Sequence, residues 1–378
     1  MRIGIDGLPL TEVLTGIGHY TNELAQHLAC ETAADTIDVV SPRPFIIALN
    51  SERKLAANVR FVRSRVSPWN RHWWSIGLPR HLRRNSLDVF HGTNFEVPLQ
   101  KVCPTVVTIH DLSMLLHPAT QQKKLVRRAQ LRVPLMARAA TMIITPTEGV
   151  RQEVHEHLKI PLDDIVAIAE AARDCFHPLK ATETIDVRRK LRITEQFLLY
   201  VGTIEPRKNL GTLLKAFEEV LRASHEPLQL VLAGRKGWLV DEFLALLKRS
   251  PAAERIILPG YLSDRDLCAL YSSCAAFVYP SVYEGFGLPP LEAMACGAPV
   301  IASRIPSLTE VTGPAACLFA SQDPGDLASI ILELLVSQEL RQRLSRAGLE
   351  RAAQFSWANT AKATRKVYTE AIDRFASR

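Results

Sequence analysis

Short apolar and β-branched runs recur along the chain, each followed by a stretch whose apolar positions have helical spacing. The runs in the first half cover residues 2–6, 88–91, 105–110 and 141–145. Those in the second half cover residues 197–202, 228–234, 255–259, 276–280 and 299–303. Continuous apolarity without alternation is typical of strands that are covered on both faces. The pattern therefore predicts, in each half, a parallel sheet flanked by helices: an α/β protein with two doubly wound domains.

The length of 378 residues exceeds what one hydrophobic core usually organises, which also favours two domains. We place the boundary in the polar, proline-containing stretch 176–180, giving domains over residues 1–178 and 179–355. Residues 356–378 carry Trp357, Val367, Tyr368 and Ala371 at helical spacing. They predict a long amphipathic helix with one packed face.

Composition narrows the class of protein. The 47% apolar and 22% charged content is that of an ordinary folded protein. Charges in Met1–Asp6 and the lack of a long uncharged apolar run predict a cytoplasmic protein that is neither exported nor membrane-spanning. The seven cysteines are scattered without a C-x-x-C pair, so we expect buried, reduced thiols and no metal site.

The positive charge is concentrated in one window. Residues 53–138 contain 16 Lys or Arg against three acidic residues, whereas the rest of the chain has more acidic than basic residues. Such asymmetry favours an anionic partner: membrane headgroups, nucleic acid or a phosphorylated substrate. A solvated helix face is an equal alternative. No nucleic-acid-binding motif accompanies the charge, so we expect no nucleic-acid partner.

The first candidate for chemistry is the loop with Gly16, Ile17 and Gly18, between the first strand and a helix. Two glycines allow the backbone to approach a phosphate at a positively polarised helix start. Thr21 stands where a dinucleotide fingerprint needs its third glycine, so a plain tight turn is an equal alternative.

Two further candidates follow strands. His110 ends the run 105–110, and Asp111 directly follows it. An imidazole there could enter a cleft, with the carboxylate orienting a partner. A histidine buried in the core is an equal alternative. Arg207 and Lys208 follow the first strand of the second half. Two cations at that edge of a sheet suit a diphosphate, because fixed positive charge stabilises a departing phosphate.

The most informative segment runs from Glu284 to Glu292 through a glycine-containing loop that becomes a helix. We expect Glu284 to lie on the loop, free to face a reacting sugar. Glu292 falls about one turn inside the helix, where it can accept two neighbouring hydroxyls. The N–H groups of Phe286, Gly287 and Leu288 can together bind a phosphate.

With Arg207-Lys208 and Gly16-Ile17-Gly18, the E-x7-E segment resembles the retaining nucleotide-sugar glycosyltransferases of family 4 over the whole chain. The resemblance implies the GT-B fold: two Rossmann-like domains facing across a cleft, the N-terminal one binding the acceptor, with a C-terminal helix that crosses back to it. It also implies a hexosyltransferase that retains the anomeric configuration.

The resemblance assigns roles to individual residues. The implied catalytic residues are His110, Glu284, Arg207 and Lys208. The implied donor-binding residues are Gly16, Ile17, Gly18, Thr203, Tyr261, Leu262, Gly285, Phe286, Gly287, Leu288 and Glu292. Within these sets Glu292 binds the ribose hydroxyls, and the backbone at Tyr261 and Leu262 contacts the nucleobase. Many members carry arginine where Thr203 stands, which leaves Arg207 and Lys208 to share the diphosphate.

Asp264, Arg265 and Asp266 spell a D-x-D string, which holds a divalent ion in other glycosyltransferases. Here the string follows Ser263 at a predicted helix start, so we interpret it as capping. We therefore expect a metal-independent enzyme with no cofactor beyond its nucleotide-sugar substrate.

By resemblance, the expected donor is GDP-mannose and the expected acceptor a polyprenyl-diphosphate-linked saccharide or oligosaccharide in surface polysaccharide or lipopolysaccharide synthesis. A rhamnosyl- or glucosyltransferase using a dTDP- or UDP-sugar and a GT-B sugar-nucleotide epimerase are the alternatives. Basic residues of the charged window, with Trp69, Trp73 and Trp74, could seat the protein peripherally on the inner face of the cytoplasmic membrane.

Overall fold

The structure, a computed structural model, describes residues 1–12, 14, 16–46, 56–64, 72–224 and 227–377. The chain forms two compact units. Unit 1 comprises Met1–Leu112, Arg127–Glu170 and Ser356–Arg378, and unit 2 comprises Ser113–Val126 and Ala171–Phe355. Each unit is built on one parallel sheet, which confirms the predicted α/β class with two Rossmann-like domains.

Unit 1 contains a seven-stranded sheet in the order β3-β2-β1-β4-β5-β6-β7. Its strands are β1 (Arg2–Asp6), β2 (Thr36–Ser41), β3 (Val59–Arg63), β4 (Val89–Gly92), β5 (Thr105–Thr108), β6 (Met142–Thr145) and β7 (Ile165–Ala167). The helices along this part of the chain are α1 (Gly16–Glu31), α2 (Leu78–Asn85), α3 (Ser113–Leu116), α4 (Lys123–Ala139) and α5 (Glu148–Leu158).

The strands found from apolar runs are the central ones. β4, β5 and β6 are buried at every position, as expected for a sheet with helices on both faces. β2, β3 and β7 were not predicted. In β2 a buried carboxylate, Asp38, interrupts the apolar pattern; it accepts a hydrogen bond of 2.7 Å from Arg60 Nε of β3.

Unit 2 contains a six-stranded sheet in the order β10-β9-β8-β11-β12-β13. Its strands are β8 (Gln196–Val201), β9 (Leu228–Ala233), β10 (Ile256–Gly260), β11 (Ala276–Tyr279), β12 (Val300–Ser303) and β13 (Ala316–Phe319). Its helices are α6 (Ala181–Lys190), α7 (Leu210–Ala223), α8 (Asp241–Arg249), α9 (Asp264–Ser273), α10 (Leu288–Ala295), α11 (Pro306–Thr312), α12 (Pro324–Val336) and α13 (Gln338–Ala352). The five predicted strands are present, and the partly exposed edge strand β13 was missed.

The division between the units differs from the predicted boundary after residue 178. Ala171 is already part of unit 2, and so is the segment Ser113–Val126, which lies far earlier in the chain. That segment is held by specific contacts inside unit 2. Trp238 Nε1 donates to the carbonyl of Thr120 at 2.8 Å, and the rings of His117 and Tyr283 lie 4.7 Å apart. No apolar pattern in the sequence indicates that the segment Ser113–Val126 packs in unit 2.

The last helix, α14 (Trp357–Ala376), belongs to unit 1 although it follows unit 2 in sequence. Its buried Tyr368 hydroxyl lies 2.7 Å from His91 Nδ1, and Thr360 Oγ1 donates to the carbonyl of Ala169 at 2.7 Å. Arg365 forms an ion pair with the buried Asp35. The helix is therefore fixed to unit 1 by polar bonds as well as by its apolar face.

The expectation for the cysteines was wrong in part. All seven are free, but Cys30 and Cys175 are exposed because they lie at a helix end and in a loop.

Across the described ranges, no helix combines the length and the apolar run that crossing a bilayer requires. Of the tryptophans that suggested peripheral membrane contact, Trp73 is buried in a small core with Leu78 and Leu82, and Trp74 packs against that core. Trp69 lies outside the described residues. Membrane contact stays a prediction.

Candidate functional site

Two loops of unit 2 meet at the carboxyl edge of its sheet. β8 and β11 are adjacent strands, so the loops that follow them leave the sheet side by side. The first loop forms a short turn of 3-10 helix over Pro206–Lys208, and the second leads from Tyr279 to Glu284. Parallel pairing thus brings together residues that lie more than seventy positions apart in the chain.

Arg207, Lys208 and Glu284 form a buried charged cluster at this edge. Lys208 Nζ donates to Glu284 Oε1 at 2.5 Å and to the Tyr279 hydroxyl at 2.7 Å. Arg207 Nη1 donates to Glu284 Oε2 at 2.8 Å and to the carbonyl of Tyr283 at 2.7 Å. Lys208 is only 7% exposed and the Arg207 side chain 12%, so the two cations do not point into bulk solvent. The structure brings together three of the four residues predicted to be catalytic.

A second carboxylate completes the cluster. Glu205 Oε1 accepts a hydrogen bond of 2.8 Å from Arg207 Nη2, and its side chain is almost fully buried. Glu205 was not predicted as a site residue, although its position two residues before Arg207 in the same loop is a usable signal. With two cations and two carboxylates, the formal charges of the cluster cancel.

The charged groups of the cluster shift one another's pKa values. Burial alone would raise the pKa of Glu284, but Arg207 and Lys208 outweigh it and lower that pKa to about 2. Burial raises the pKa of Glu205 despite Arg207 and Lys208, and burial together with Arg207 lowers the pKa of Lys208. Glu284 is therefore an ionised carboxylate at physiological pH.

This geometry corrects the expectation that Glu284 is free on its loop. The residue does precede α10, but both carboxylate oxygens are bonded to cations. A carboxylate buried beside two fixed positive charges is held by Coulomb attraction. Glu284 consequently positions Arg207 and Lys208 and keeps a negative charge next to them.

Glu292 belongs to a second polar group in unit 2. Tyr271 OH donates to Glu292 Oε2 at 3.3 Å, and Arg173 Nη2 lies 3.6 Å from Glu292 Oε1. Arg173 also makes a bidentate pair with Asp264, at 2.5 and 2.9 Å. Burial raises the pKa of Glu292, an effect that Arg173 opposes and Asp264 reinforces. Arg173 lies in an irregular segment near the start of the second part of unit 2, and no motif in the sequence indicates it.

The D-x-D string is a helix start, as interpreted. Ser263 caps α9 by accepting a hydrogen bond from the N–H of Asp266, which confirms the cap. Both aspartates also form ion pairs that were not predicted: Asp264 binds Arg173, and Asp266 binds Lys190. Among the described residues, no three His, Cys, Asp or Glu side chains come together as potential metal ligands. Metal independence stays a prediction.

The loop from Gly285 to Leu288 leads into α10. Gly287 has φ of 104°, a left-handed conformation that favours glycine, and a Cβ there would lie 2.6 Å from Leu308 Cδ2. The Phe286 ring is buried and packs edge-on against Phe355. The conformation turns the chain into the helix directly after Glu284, and phosphate binding by the N–H groups remains a prediction.

The remaining predicted donor-binding residues of unit 2 lie on neighbouring loops of the same edge. The carbonyl of Thr203 accepts a hydrogen bond from Tyr200, Leu262 is buried, and Tyr261 is half exposed with the Arg235 guanidinium 4.5 Å from its ring centre. Gly234 permits the close approach of these loops, because a Cβ there would lie 2.0 Å from the carbonyl oxygen of Gly202.

In unit 1, His110 follows β5 and is held from two sides. Its Nε2 lies 2.9 Å from the carbonyl of Thr93 and its Nδ1 lies 3.1 Å from Glu170 Oε1. When the imidazole is protonated, both ring nitrogens can donate to these acceptors. Burial lowers the pKa of His110, but the bond to Glu170 outweighs it and the net shift is upward. His110 is thus held in place by two hydrogen bonds, and Glu170 is the orienting carboxylate that the sequence did not indicate.

Gly16, Ile17 and Gly18 form the first turn of α1. Gly16 is exposed, Ile17 is half-buried, and Gly18 is buried with its Cα against Leu14 and Pro9, where a Cβ would lie 2.7 Å from Leu14 Cδ2. Gly18 is therefore needed for packing, and Gly16 alone of these three offers an open backbone.

Comparison with known proteins agrees with the fold of both units. Glycosyltransferase Family 4 matches residues 14–170, and Glycosyl transferases group 1 matches residues 182–351. O-antigen chain mannosyltransferase B of Escherichia coli is 33% identical over 379 residues, covering 97% of this chain and 99% of the relative. MMP alpha-(1->4)-mannosyltransferase of Mycolicibacterium hassiacum is 30% identical over 359 residues, covering 89% of this chain and 84% of the relative.

Among solved structures, sucrose-phosphate synthase from Thermosynechococcus elongatus aligns with a TM-score of 0.77 at 21% identity, covering 98% of each chain. At that identity the likeness concerns the fold alone. The family matches span both units, and the Escherichia coli relative covers nearly the whole chain. The chain therefore belongs to glycosyltransferase family 4, as a mannosyltransferase-like glycosyltransferase with the GT-B fold.

Proposed function

We propose that this glycosyltransferase transfers mannose from GDP-mannose to a hydroxyl of a lipid-linked saccharide, with retention of the anomeric configuration and without a metal ion. The observation that carries the proposal is the buried cluster of Arg207, Lys208 and Glu284 at the carboxyl edge of the second sheet. The names of two relatives, both mannosyltransferases, support mannose as the sugar.

The cluster suits a nucleotide diphosphate as leaving group. When the bond between the sugar C1 and the diphosphate oxygen breaks, negative charge grows on that oxygen. Arg207 and Lys208 supply fixed positive charge in a buried position, where it acts more strongly than in water. The acceptor oxygen then bonds to C1 on the same face, and the acceptor proton passes to the departing phosphate oxygen.

Glu284 does not supply a proton in this scheme. Its pKa of about 2 keeps it ionised at the pH of the cytoplasm, so it is a fixed anion. It holds both cations in place before the donor arrives. Its negative charge also favours the positive charge that develops on the sugar ring as the bond to the diphosphate breaks.

Glu292 is the residue that we assign to the donor ribose. Two neighbouring hydroxyls need an acceptor carboxylate of fixed orientation, and Tyr271 and Arg173 hold Glu292 through its two oxygens. Asp264 in turn fixes Arg173 from the other side. The arrangement makes Arg173 and Asp264 positioning residues for Glu292.

The test is a donor and acceptor screen with the purified protein in the presence of EDTA. GDP-mannose, a UDP-sugar and a dTDP-sugar are each supplied with and without a polyprenyl-diphosphate-linked saccharide. We expect transfer from GDP-mannose alone, dependent on the acceptor, and a product whose anomeric configuration by NMR equals that of the donor. The same screen with Lys208→Ala should show greatly reduced transfer, and Lys215→Ala, a change at an exposed lysine on α7, is its control.

A different result would contradict each part of the proposal. Transfer only from a UDP- or dTDP-sugar would replace the donor, and inversion at C1 would remove the same-face mechanism. Loss of activity in EDTA that manganese or magnesium restores would contradict metal independence. Conversion of the donor without any acceptor would indicate an epimerase instead.

A further inference from the structure

Unit 2 contains a cavity at the amino edge of its sheet. Gln196, Ala275 and Pro299 line this cavity, and each lies at or directly before the first residue of a strand: β8, β11 and β12 respectively. These strands are neighbours in one parallel sheet, so they all begin at the same edge. The charged cluster described above follows the ends of β8 and β11. The cavity and the cluster therefore lie at opposite edges of the sheet.

The cavity is large enough for a small molecule. Its volume is about 520 Å³, within the usual range for ligand sites. One wall is a face of α13 on which Arg341, Ser345 and Leu349 follow one another at intervals of four, with Gln342 and Arg346 beside them. The lining thus combines charged, polar and apolar side chains.

Three arginines give the cavity its charge. Arg188 comes from α6, and Arg341 and Arg346 come from α13. Among the described residues no Asp or Glu lines the cavity, and none of the three arginines forms an ion pair with a described carboxylate. Arg189, next to Arg188 in the chain, does pair with Asp186. The cavity therefore holds positive charge that no carboxylate of its own lining balances.

Two of these arginines are held in place by the backbone. Arg188 Nη2 donates to the carbonyl of Glu195 at 2.8 Å, and Arg341 Nη1 donates to the carbonyls of Leu334 and Leu335 at 2.6 Å. A guanidinium has five N–H donors, so each of these two retains donors for a ligand. A group whose position is already fixed loses little conformational entropy when a ligand binds.

The chemistry of the lining selects the kind of ligand. Guanidinium groups match the geometry of a phosphate, to which they can donate two hydrogen bonds at once. The amides of Gln196 and Gln342 and the hydroxyl of Ser345 suit the hydroxyls of a sugar. No aromatic side chain occurs among the described lining residues, so a nucleobase would find no ring on which to stack. These features favour a sugar phosphate over a nucleotide.

We propose that this cavity is a binding site for a phosphorylated monosaccharide. Arg188, Arg341 and Arg346 bind the phosphate, and the neighbouring amide and hydroxyl side chains bind the sugar. The inference does not depend on the proposed function, because the cavity shares no residue with the charged cluster or with the polar group around Glu292.

The test is calorimetric titration of the full chain with mannose 6-phosphate, mannose and inorganic phosphate. We expect mannose 6-phosphate to bind, inorganic phosphate to bind at least about ten-fold more weakly, and mannose to show no binding, because the phosphate and the sugar each contribute contacts. Arg346→Gln should weaken binding of mannose 6-phosphate about ten-fold, the order of one lost hydrogen bond to a charged group. Arg188→Gln with Arg346→Gln should weaken it about 100-fold.

A blocking variant and a matched control locate the ligand. Gln342→Trp keeps every charge but places a large ring at the exposed rim of the cavity, so it should abolish binding. Arg343→Gln removes the charge of an exposed arginine on the same helix that does not line the cavity, and it should bind like the wild type. Thermal melting without ligand establishes that each variant is folded.

Several results would overturn the inference. Equal weakening in Arg343→Gln would mean attraction by net charge, and wild-type binding in Gln342→Trp would place the ligand outside the cavity. Inorganic phosphate that binds as tightly as mannose 6-phosphate would leave no role for the sugar. Binding that is lost in Lys208→Ala but kept in Arg346→Gln would assign the ligand to the charged cluster instead. Absence of binding in the wild type would remove the site.

Discussion

Each unit places a buried charged pair near the carboxyl edge of its parallel sheet, but the two pairs use different cations. In unit 2, Arg207 and Lys208 bind Glu284, whereas in unit 1 the imidazole of His110 binds Glu170. An arginine stays charged at any physiological pH, whereas a histidine loses its proton within a few pH units of neutrality. The same edge of the same fold therefore carries a cluster that contains an arginine of fixed charge in one unit and a pair with a titratable histidine in the other.

The largest effect that we expect comes from the cluster of unit 2. Lys208→Ala should lower kcat by about 100- to 1000-fold, the usual cost of removing one group that stabilises charge in the transition state. It should also destabilise the fold by about 3–5 kcal/mol, because a buried carboxylate loses a partner. Steady-state kinetics and chemical denaturation measure the two effects, with Lys215→Ala as the control.

A double variant separates these two effects of Lys208. In Lys208→Ala with Glu284→Gln no uncompensated charge is buried, so the free energy of unfolding should recover while kcat stays low. Recovery of both quantities would mean that Lys208 serves the fold alone and would remove it from the reaction.

The second prediction concerns the pair in unit 1. Glu170→Gln should cost about 1.5–3 kcal/mol of stability, the usual range for a hydrogen bond to a charged group. The bond to Glu170 raises the pKa of His110 against the effect of burial, so its stabilising contribution is present at acidic pH. It is lost as pH rises through the raised pKa. The free energy of unfolding measured from pH 6 to 9 should fall in the wild type and stay flatter in Glu170→Gln.

Other groups that titrate near His110 require a control. Asp111 acts on it through its charge, burial and His110 lower the pKa of His91 to about 3, and burial raises the pKa of Asp6 of β1 to about 7. Asp6→Asn removes that carboxyl without touching the bond to Glu170. If the pH dependence disappears in Asp6→Asn and persists in Glu170→Gln, His110 is not its source.

The third prediction tests Arg173 in the second polar group of unit 2. Arg173 lowers the pKa of Glu292 against the effect of burial, so Arg173→Ala should move that pKa further upward. Glu292 would then be protonated at a higher pH and lose its capacity to accept two hydroxyls. The KM for the donor should rise about ten-fold, the order of one lost hydrogen bond to a charged group, and rise further as pH falls, while kcat changes less.

A second variant, with a smaller expected effect on the donor KM, separates the orientation of Arg173 from its charge. Asp264→Asn keeps the side-chain shape beside Arg173 and should raise the KM less than Arg173→Ala does. A donor KM that is the same in the wild type and in Arg173→Ala at every pH would contradict the link between Arg173 and Glu292.

The smallest expected effect is a gain. Glu205→Gln removes one negative charge beside Arg207 and leaves the cluster with a net positive charge. Binding of GDP should tighten at least about five-fold, because about 1 kcal/mol, the interaction of two charges roughly 4 Å apart in bulk water, is a lower bound for a buried site. Calorimetry of GDP binding measures it. Weaker binding would show that Glu205 orients Arg207 for the diphosphate.

The central strands and the cluster of Arg207, Lys208 and Glu284 could both be predicted from continuous apolar runs in the sequence. β5 and β8 are continuous apolar runs, and Arg207, Lys208 and Glu284 each follow such a run within a few residues. Glu170 and Arg173 were not predicted because they lie in an irregular segment without periodicity, where unit 1 passes into unit 2. The segment Ser113–Val126 escaped for the same reason, since its place in unit 2 depends on single contacts such as Trp238 with Thr120.

The sequence by itself determined the class of fold, the number of sheets and the loops that carry charge, because apolar periodicity and strand-end positions are local properties. Only the tertiary structure decided how those charges are used. It paired Glu284 with both cations, bound His110 to Glu170 and brought Arg188 to the same cavity as Arg346. Pairing and proximity depend on which distant segments become neighbours, and parallel strand order sets that across long stretches of chain.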